Sequence, residues 1–210
     1  ECTPGGSSGG AAAAAALGMG TLHIGTDGGG SIRIPAGFTG VFGFKPSFGR
    51  VPHYPPSPMG TLAHTGPITR TVSDAALMMD VLGLPDNRDP HALPYHPKEY
   101  KGNLDIDIRR LRIAYSPTLG YSDVDKEVAA CVKDAVDTLS LLGATVEEVD
   151  PGFKSPLDCF NKHWYAGAAH LLKQFASEQQ ELMDPGFLEV AREGAQFSLA
   201  EYMTAVDQRV

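Results

Sequence analysis

Cysteine is scarce in this sequence of 210 residues, which contains only Cys2, Cys131 and Cys159. An odd number of cysteines at these spacings matches neither a disulfide framework nor a zinc-binding set, so we predict no metal site and a reducing compartment, the cytoplasm. Basic residues are also few, since 17 Lys and Arg stand against 25 Asp and Glu and the formal net charge is -8. Direct binding of nucleic acid requires a concentrated basic surface, so we do not expect this class of partner.

Long apolar runs are absent as well. The Ala-rich residues 11–17 fall far short of the roughly 18 residues that cross a bilayer, so we expect no membrane partner. A hydrophobic content of 42% supports one substantial core. The sequence begins with Glu1 instead of an initiator Met, and residues 197–210 stop inside an amphipathic helical pattern, so we expect further sequence on both sides.

Two glycine-rich turns bracket the first predicted elements. Residues 4–10 read PGGSSGG and precede a predicted short helix over residues 11–17, for which Ser7 or Ser8 is the expected cap. Residues 21–24 predict a strand that runs into the second turn, GTDGGGS, at residues 25–31. Residues 37–67 are rich in Gly, Pro and aromatic residues without periodicity. We expect them to form a buried, irregular pocket wall held by Phe38, Phe42, Phe44 and Phe48.

The later sequence has clearer periodicity. A helix is predicted to open at Thr71 and to end at Gly83, followed by a surface excursion over residues 84–110. Strands at 111–115 and 145–149 flank a helix at 123–142 that Gly143 ends, which is a βαβ-like pattern of the α/β class. Residues 151–210 are predicted to be mostly helical, with a break at Pro185. We therefore describe residues 1–210 as a single incomplete domain, with 1–83 as its active-site core and 111–150 as its strand-helix-strand unit.

Ser31 follows three consecutive glycines in the second turn and is the candidate nucleophile. Without Cβ atoms, Gly28, Gly29 and Gly30 allow backbone N–H groups to approach a substrate oxygen closely, while Ser31 presents its hydroxyl in the same concavity. A serine hydroxyl attacks poorly at neutral pH and therefore needs a neighbouring base.

A glycine-rich turn alone is also consistent with a tight connection or a phosphate-binding loop. The phosphate alternatives fail in detail, because no Gly-Lys-Ser/Thr follows and a dinucleotide fingerprint starting at Gly18 would have His23 in place of its third glycine. Ser31 does not sit in a Gly-x-Ser-x-Gly elbow, because Ile32 and Arg33 follow it.

The two turns and the segments after them closely resemble the amidase signature family. The matching motifs are PGGSSGG at 4–10, GTDGGGSIRIPA at 25–36, GVFGFKP at 40–46, GRV at 49–51 and GPITR at 66–70. The resemblance is dense over residues 4–83 and depends on general shape beyond them. It implies an α/β fold with a mixed β-sheet core surrounded by helices, incomplete at both ends, and no cofactor.

The resemblance also implies a Ser-Ser-Lys triad. Ser31 would attack the carbonyl and form an acyl-enzyme, and Ser7, preceded by a cis peptide bond from Gly6, would relay the proton. Backbone N–H groups across residues 28–31, including those of Gly28, Gly29 and Gly30, would form the oxyanion hole. Supporting roles would fall to Asp27 and Arg33, which brace the loop, and to the hydrogen-bonding residues Ser8 and Thr26.

The lysine of the triad lies well before the first serine segment in this family, and the sequence offers none there. Lys45 is not a substitute by motif, and His53, His64 and His163 have no recognisable partner spacing for a Ser-His arrangement. Without the lysine, Ser7 lacks its base, so we expect the 210 residues alone to be inactive or nearly so.

The resemblance implies a small-molecule amide as substrate and leaves a homodimer open. Residues 60–65 read GTLAHT before Gly66-Pro67, whereas the glutamine-hydrolysing subunit of tRNA-dependent amidotransferases tends to have Ser-Leu-Asp-Gln there. We therefore favour a stand-alone amidase over the glutamine-hydrolysing protein. The non-enzymatic alternative is a catalytically incompetent fragment or binding module, against which the intact Ser7 and Ser31 argue. Nucleotide binding is a further alternative, against which the missing Gly-Lys-Ser/Thr and the His23 in place of a third glycine argue.

Overall fold

The computed structural model describes residues 2–95, 97 and 99–209. Glu1 and Val210, the ends at which we expect further sequence, lie outside the described residues, as do His96 and Lys98. The chain divides into two compact units. The larger unit contains the described residues up to Leu104 and from Cys159 onward, and the smaller unit is Asp105–Asp158.

A three-stranded antiparallel sheet lies in the larger unit. Its N-terminal elements are helix α1 (Gly9–Ala16), strand β1 (Leu22–Asp27), helix α2 (Arg33–Thr39), strand β2 (Phe42–Gly43), strand β3 (His64–Thr69) and helix α3 (Val72–Leu82). The strand order is β1-β3-β2, and in the register of β1 with β3, Leu22 pairs with Thr69 and Asp27 with His64. Strand β1 thus continues through Gly25, Thr26 and Asp27, where the sequence predicted a turn, because cross-strand pairing with β3 holds these residues extended.

Small side chains bring α1 against the sheet. Ala12 and Ala15 of α1 are buried with Ile32 and with Ile68 of β3, and together they form a core cluster. The expected cap of this helix is wrong, because Ser8 occupies the N-cap position without a side-chain bond to the helix. Its hydroxyl is bonded instead to the backbone of Thr26.

The expectation of a buried, irregular wall over residues 37–67 is correct only in part. The end of α2, strand β2, a short 3-10 turn at Gly60–Leu62 and most of β3 fall within this range. Phe38 is 63% exposed, so it does not hold a buried wall. The reason is that α2 buries Pro35 and Ala36, which leaves Phe38 on its open side before the helix ends at the left-handed Gly40.

The predicted α3 is confirmed. The Thr71 side chain accepts a hydrogen bond from the Asp74 N–H at the start of this helix, and Met78 and Met79 are buried along it. The C-terminal part of the larger unit is helical as predicted, with α5 (Leu157–Leu172), α6 (Ser177–Gln180), α7 (Pro185–Gly194) and α8 (Leu199–Gln208). Pro185 starts α7, where a missing N–H costs nothing. Among the described residues, no helix has the length and apolarity needed to cross a membrane.

The smaller unit contains the predicted strand-helix-strand pattern. Strand β4 (Arg112–Tyr115) pairs in parallel with β5 (Thr145–Glu148), and helix α4 (Lys126–Leu141) connects them. The Asp125 side chain caps α4 by accepting hydrogen bonds from the Glu127 and Val128 N–H groups. After α4, Gly143 adopts φ 100°, the left-handed conformation for which glycine is favoured. The predicted strand-helix-strand pattern and the predicted α/β class are therefore confirmed.

Candidate active site

Ser8 joins the two glycine turns. Its Oγ accepts a hydrogen bond from the Thr26 N–H at 3.1 Å and donates one to the Thr26 carbonyl oxygen at 3.3 Å. Its backbone N–H donates to the carbonyl oxygen of Ser31 at 3.3 Å. The peptide bond between Gly6 and Ser7 is cis, as the resemblance implies. Through Ser8, the turn that contains Ser7 is therefore fixed against the turn that contains Ser31.

Asp27 organises the second turn from within. Its carboxylate is fully buried and accepts hydrogen bonds from the Gly30 N–H at 2.7 Å and the Ile32 N–H at 3.1 Å. The Arg33 guanidinium completes the arrangement with two further bonds, from Nε at 3.0 Å and from Nη2 at 2.9 Å. Ser31 lies between the anchored residues Gly30 and Ile32, so its backbone position is fixed from both sides.

The charge of Asp27 is stabilised in this position. Burial alone would raise the pKa of its carboxyl, but the hydrogen bonds from Arg33 and from the backbone N–H groups of Gly30 and Ile32 outweigh it and lower the pKa from 3.8 to about 2. The side-chain hydrogen bond with Asp27 also raises the pKa of Arg33. Asp27 is thus a permanent anion paired with a permanent cation, which suits a positioning group and not a proton-transferring one.

A cavity of about 370 Å³ opens beside the second turn. Among the residues predicted for the site, the structure brings the following to its lining: Ser7, Ser31, Thr26, Asp27 and Gly28. The other predicted site residues, Ser8, Gly29, Gly30 and Arg33, are not among the lining residues. These four residues act on the cavity indirectly, through their contacts within the two turns. Because Ser7 and Ser31 both line the cavity, they border one space that a small molecule could enter.

The cavity also has a wall that sequence reasoning did not identify. Trp164 of α5, Met59 and a proline-rich segment line it, as does His53. The Nδ1 atom of His53 is 3.0 Å from the Thr65 Oγ1, and its backbone N–H donates to the Asp89 carboxylate at 2.8 Å. No spacing in the sequence connects these residues with Ser31, because the chain brings them together only through the tertiary fold.

Two further basic residues lie close to Asp27. The Nδ1 atom of His64 is 2.8 Å from the Leu62 carbonyl oxygen and 3.1 Å from that of Asp27, so Nδ1 carries a proton and donates it. Burial, followed by the charge of Lys45, lowers the pKa of His64. Burial, followed by the charge of Arg33, also lowers the pKa of Lys45, whose Nζ donates to the Pro46 carbonyl oxygen at 3.0 Å. Lys45 is not among the residues that line the cavity with Ser7 and Ser31.

The part of the chain that the structure describes contains no group of three or more His, Cys, Asp or Glu residues arranged to hold a metal ion. The fold and the cavity therefore define a mixed α/β protein whose candidate site is made of serine hydroxyls, glycine backbone and a paired carboxylate. Comparison with known proteins identifies the family.

The sequence model of the Amidase family matches residues 1–206. An acylamidase of Rhodococcus erythropolis is 39% identical over 207 residues, which are 97% of this chain and 42% of that protein. One subunit of the glutamyl-tRNA(Gln) amidotransferase of Staphylococcus saprophyticus is 44% identical over 147 residues, 70% of this chain and 30% of that relative. The crystal structure of a bacterial aryl acylamidase of the amidase signature family superposes with a TM-score of 0.85 at 33% identity, over 96% of this chain and 44% of that one.

The chain belongs to the amidase signature family. It spans less than half the length of these relatives. The mixed α/β fold that the sequence predicted for this family is confirmed.

Proposed function

We propose that the protein containing this chain hydrolyses a carboxylic acid amide through an acyl-enzyme on Ser31. The observation that carries the proposal is that Ser7 and Ser31 line one cavity together with the backbone of Gly28. Covalent catalysis by a serine needs the nucleophile, a proton relay and oxyanion donors around one small volume, and this cavity has a candidate for each.

In the proposed reaction, Ser31 Oγ attacks the amide carbon as its proton passes to Ser7, which releases its own proton to a base. The carbonyl oxygen becomes an oxyanion. The C–N bond then breaks, the amine leaves with a proton returned through Ser7, and water hydrolyses the ester on Ser31 to release the acid. The Gly30 N–H already donates to Asp27. We therefore assign the oxyanion to the N–H groups of Gly28, Gly29 and Ser31.

We propose that the base is a lysine contributed by a segment outside the 210 residues. Two observations support this proposal: Lys45 is bonded to its own neighbour, Pro46, and the chain covers less than half of the acylamidase that it resembles. On this proposal the 210 residues alone are inactive. Four residues then act by positioning the two glycine turns that contain Ser7 and Ser31: Asp27, Arg33, Ser8 and Thr26.

Release of ammonia from glutamine is the second candidate, which the 44% identity to the amidotransferase protein supports. Residues 60–65 read GTLAHT before Gly66, which favours a stand-alone amidase instead. A binding module without catalysis is the third candidate. The cytoplasmic location and the homodimer remain predictions from the sequence.

The test is covalent labelling of the gene product that contains this chain with a fluorophosphonate, followed by peptide mapping. We expect the label on Ser31, its loss in Ser31→Ala and much slower labelling in Ser7→Ala. Ser140→Ala is the matched control, since the Ser140 hydroxyl donates to the Val136 carbonyl oxygen within α4. A label on Ser7 that persists in Ser31→Ala would reverse the two roles, and no labelling with no amide turnover would favour the binding module.

A further inference from the structure

Two aromatic rings of α5 lie directly against the second glycine turn. Phe160 and Trp164 are one helical turn apart, and their rings stack with centroids 5.6 Å apart and planes at 21°. A Cβ atom on Gly28 would come within 2.8 Å of Trp164 Cζ3, and one on Gly29 within 2.9 Å of Phe160 Cζ. The glycines at these two positions therefore also provide the space in which the rings contact the backbone.

Trp164 belongs both to this contact and to the cavity. It lines the same 370 Å³ space as Ser7 and Ser31. The rest of the wall is largely apolar and consists of Pro55, Pro56, Pro58, Met59 and Ala63, with Ser57 and His53 as its polar members. A substrate amide at Ser31 would thus have an indole ring and aliphatic side chains around the groups attached to it.

The described residues that line the cavity include no lysine or arginine and offer no unpaired carboxylate. Among the described residues that line it, Asp27 is the only acidic one, and its carboxylate is fully buried and paired with Arg33 at 2.9 Å. Glutamine carries an ammonium and a carboxylate, and a site that removes both from water without counter-charges loses their favourable hydration. An apolar group of the substrate instead gains free energy by leaving water here.

We propose that Trp164 is a specificity-determining residue that selects amides with an aromatic or bulky aliphatic group over small amides and over glutamine. The inference deepens the proposed amide hydrolysis and rests on it. The apolar group is either on the acyl side or on the amine side of the scissile bond. Both positions require the same kind of apolar group, and the choice of substrates in the test distinguishes them.

The test compares kcat/KM of the gene product that contains this chain for acetamide, phenylacetamide, acetanilide and glutamine. The wild type should prefer phenylacetamide or acetanilide, which identifies the acyl or the amine side, respectively. Trp164→Leu should lower the preference for that aromatic amide over acetamide by at least about tenfold, and Trp164→Phe should lower it less. Tyr165→Leu is the matched control on the same helix, because Tyr165 stacks on Phe197 and does not line the cavity.

A change that only loosens the glycine turn would slow all amides alike, so an unchanged preference in Trp164→Leu overturns the proposal, as does a wild type that prefers glutamine.

A second measurement does not depend on turnover. Phenylacetamide or acetanilide added to Ser31→Ala should change tryptophan fluorescence with saturation, and this change should be missing in the Trp164→Phe form of that variant. Fluorescence saturation by glutamine at lower concentration than by either aromatic amide would contradict the inference. Absence of hydrolysis and of labelling at Ser31, with saturable binding of the aromatic amide intact, would instead reject the proposed function alone.

Discussion

The second glycine turn and the strand-helix-strand unit differ sharply in how their residues are held. In the turn, the fully buried Asp27 accepts hydrogen bonds from Gly30, Ile32 and Arg33, and aromatic rings contact the glycine backbone. In the smaller unit, α4 forms where its periodicity predicts it, yet none of its residues, all of which the structure describes, is buried. The turn is held by a buried hydrogen-bond network within residues 27–33 and by aromatic contacts from α5, far away in sequence, whereas α4 is determined by its cap and its local pattern.

This difference indicates where substitutions should matter. A residue of the turn that is held by several close-packed partners transmits any change to Ser31, because these neighbours cannot adjust independently. A residue on an exposed helical face changes only the helix propensity and its own hydration.

Gly28→Ala should have the largest effect. Its Cβ would come within 2.8 Å of Trp164 Cζ3, so the turn or the ring must move, and we expect the labelling rate of Ser31 to fall by about 100-fold. Gly37→Ala is the control, because a Cβ at that exposed helical position meets nothing within 4 Å. If steric contact is the cause, adding Trp164→Leu to Gly28→Ala should restore part of the labelling rate. Equal labelling of Gly28→Ala and wild type would show that the ring does not restrain the turn.

Asp27→Asn should cost about 2 kcal/mol of the free energy of unfolding at neutral pH. The pKa of Asp27 is lowered from 3.8 to about 2 in the folded state, so its stabilisation is present above pH 3.8 and is lost as pH falls through about 2. Urea unfolding measured across this range should show a decline in the wild type that is smaller in Asp27→Asn.

Asp86→Asn is the control for this titration. The pKa of Asp86 is also lowered to about 2, first by the Arg88 side chain, but Arg88 is largely exposed and the two residues are only two positions apart. Such a pair can persist in the unfolded chain, so its removal should leave the pH dependence of unfolding nearly unchanged. Equal effects of the two substitutions would contradict the special role of the buried carboxylate.

The sequence predicted the elements that local rules determine. Periodicity and caps located α3 and α4 within a few residues, and the glycine-serine motifs led to Ser7 and Ser31. Trp164 and His53 could not be found in this way, since α5 and the segment around residue 53 reach the cavity only through tertiary packing. Ser8 was misassigned as a helix cap for the same reason, because its hydroxyl has a better pair of backbone partners on Thr26, a contact 18 residues away in sequence.

Val132→Ala in α4 should have the smallest effect. The side chain is 45% exposed, and alanine is the better helix former, so the free energy of unfolding should change by less than about 0.5 kcal/mol. Met79→Ala in α3 is the comparison, since that side chain is 1% exposed and its truncation should cost about 2–5 kcal/mol. Both are measured by urea unfolding of the gene product that contains this chain. A cost at Val132 comparable to that at Met79 would mean that α4 is covered in the protein by something other than the described residues, and the contrast with the glycine turn would then disappear.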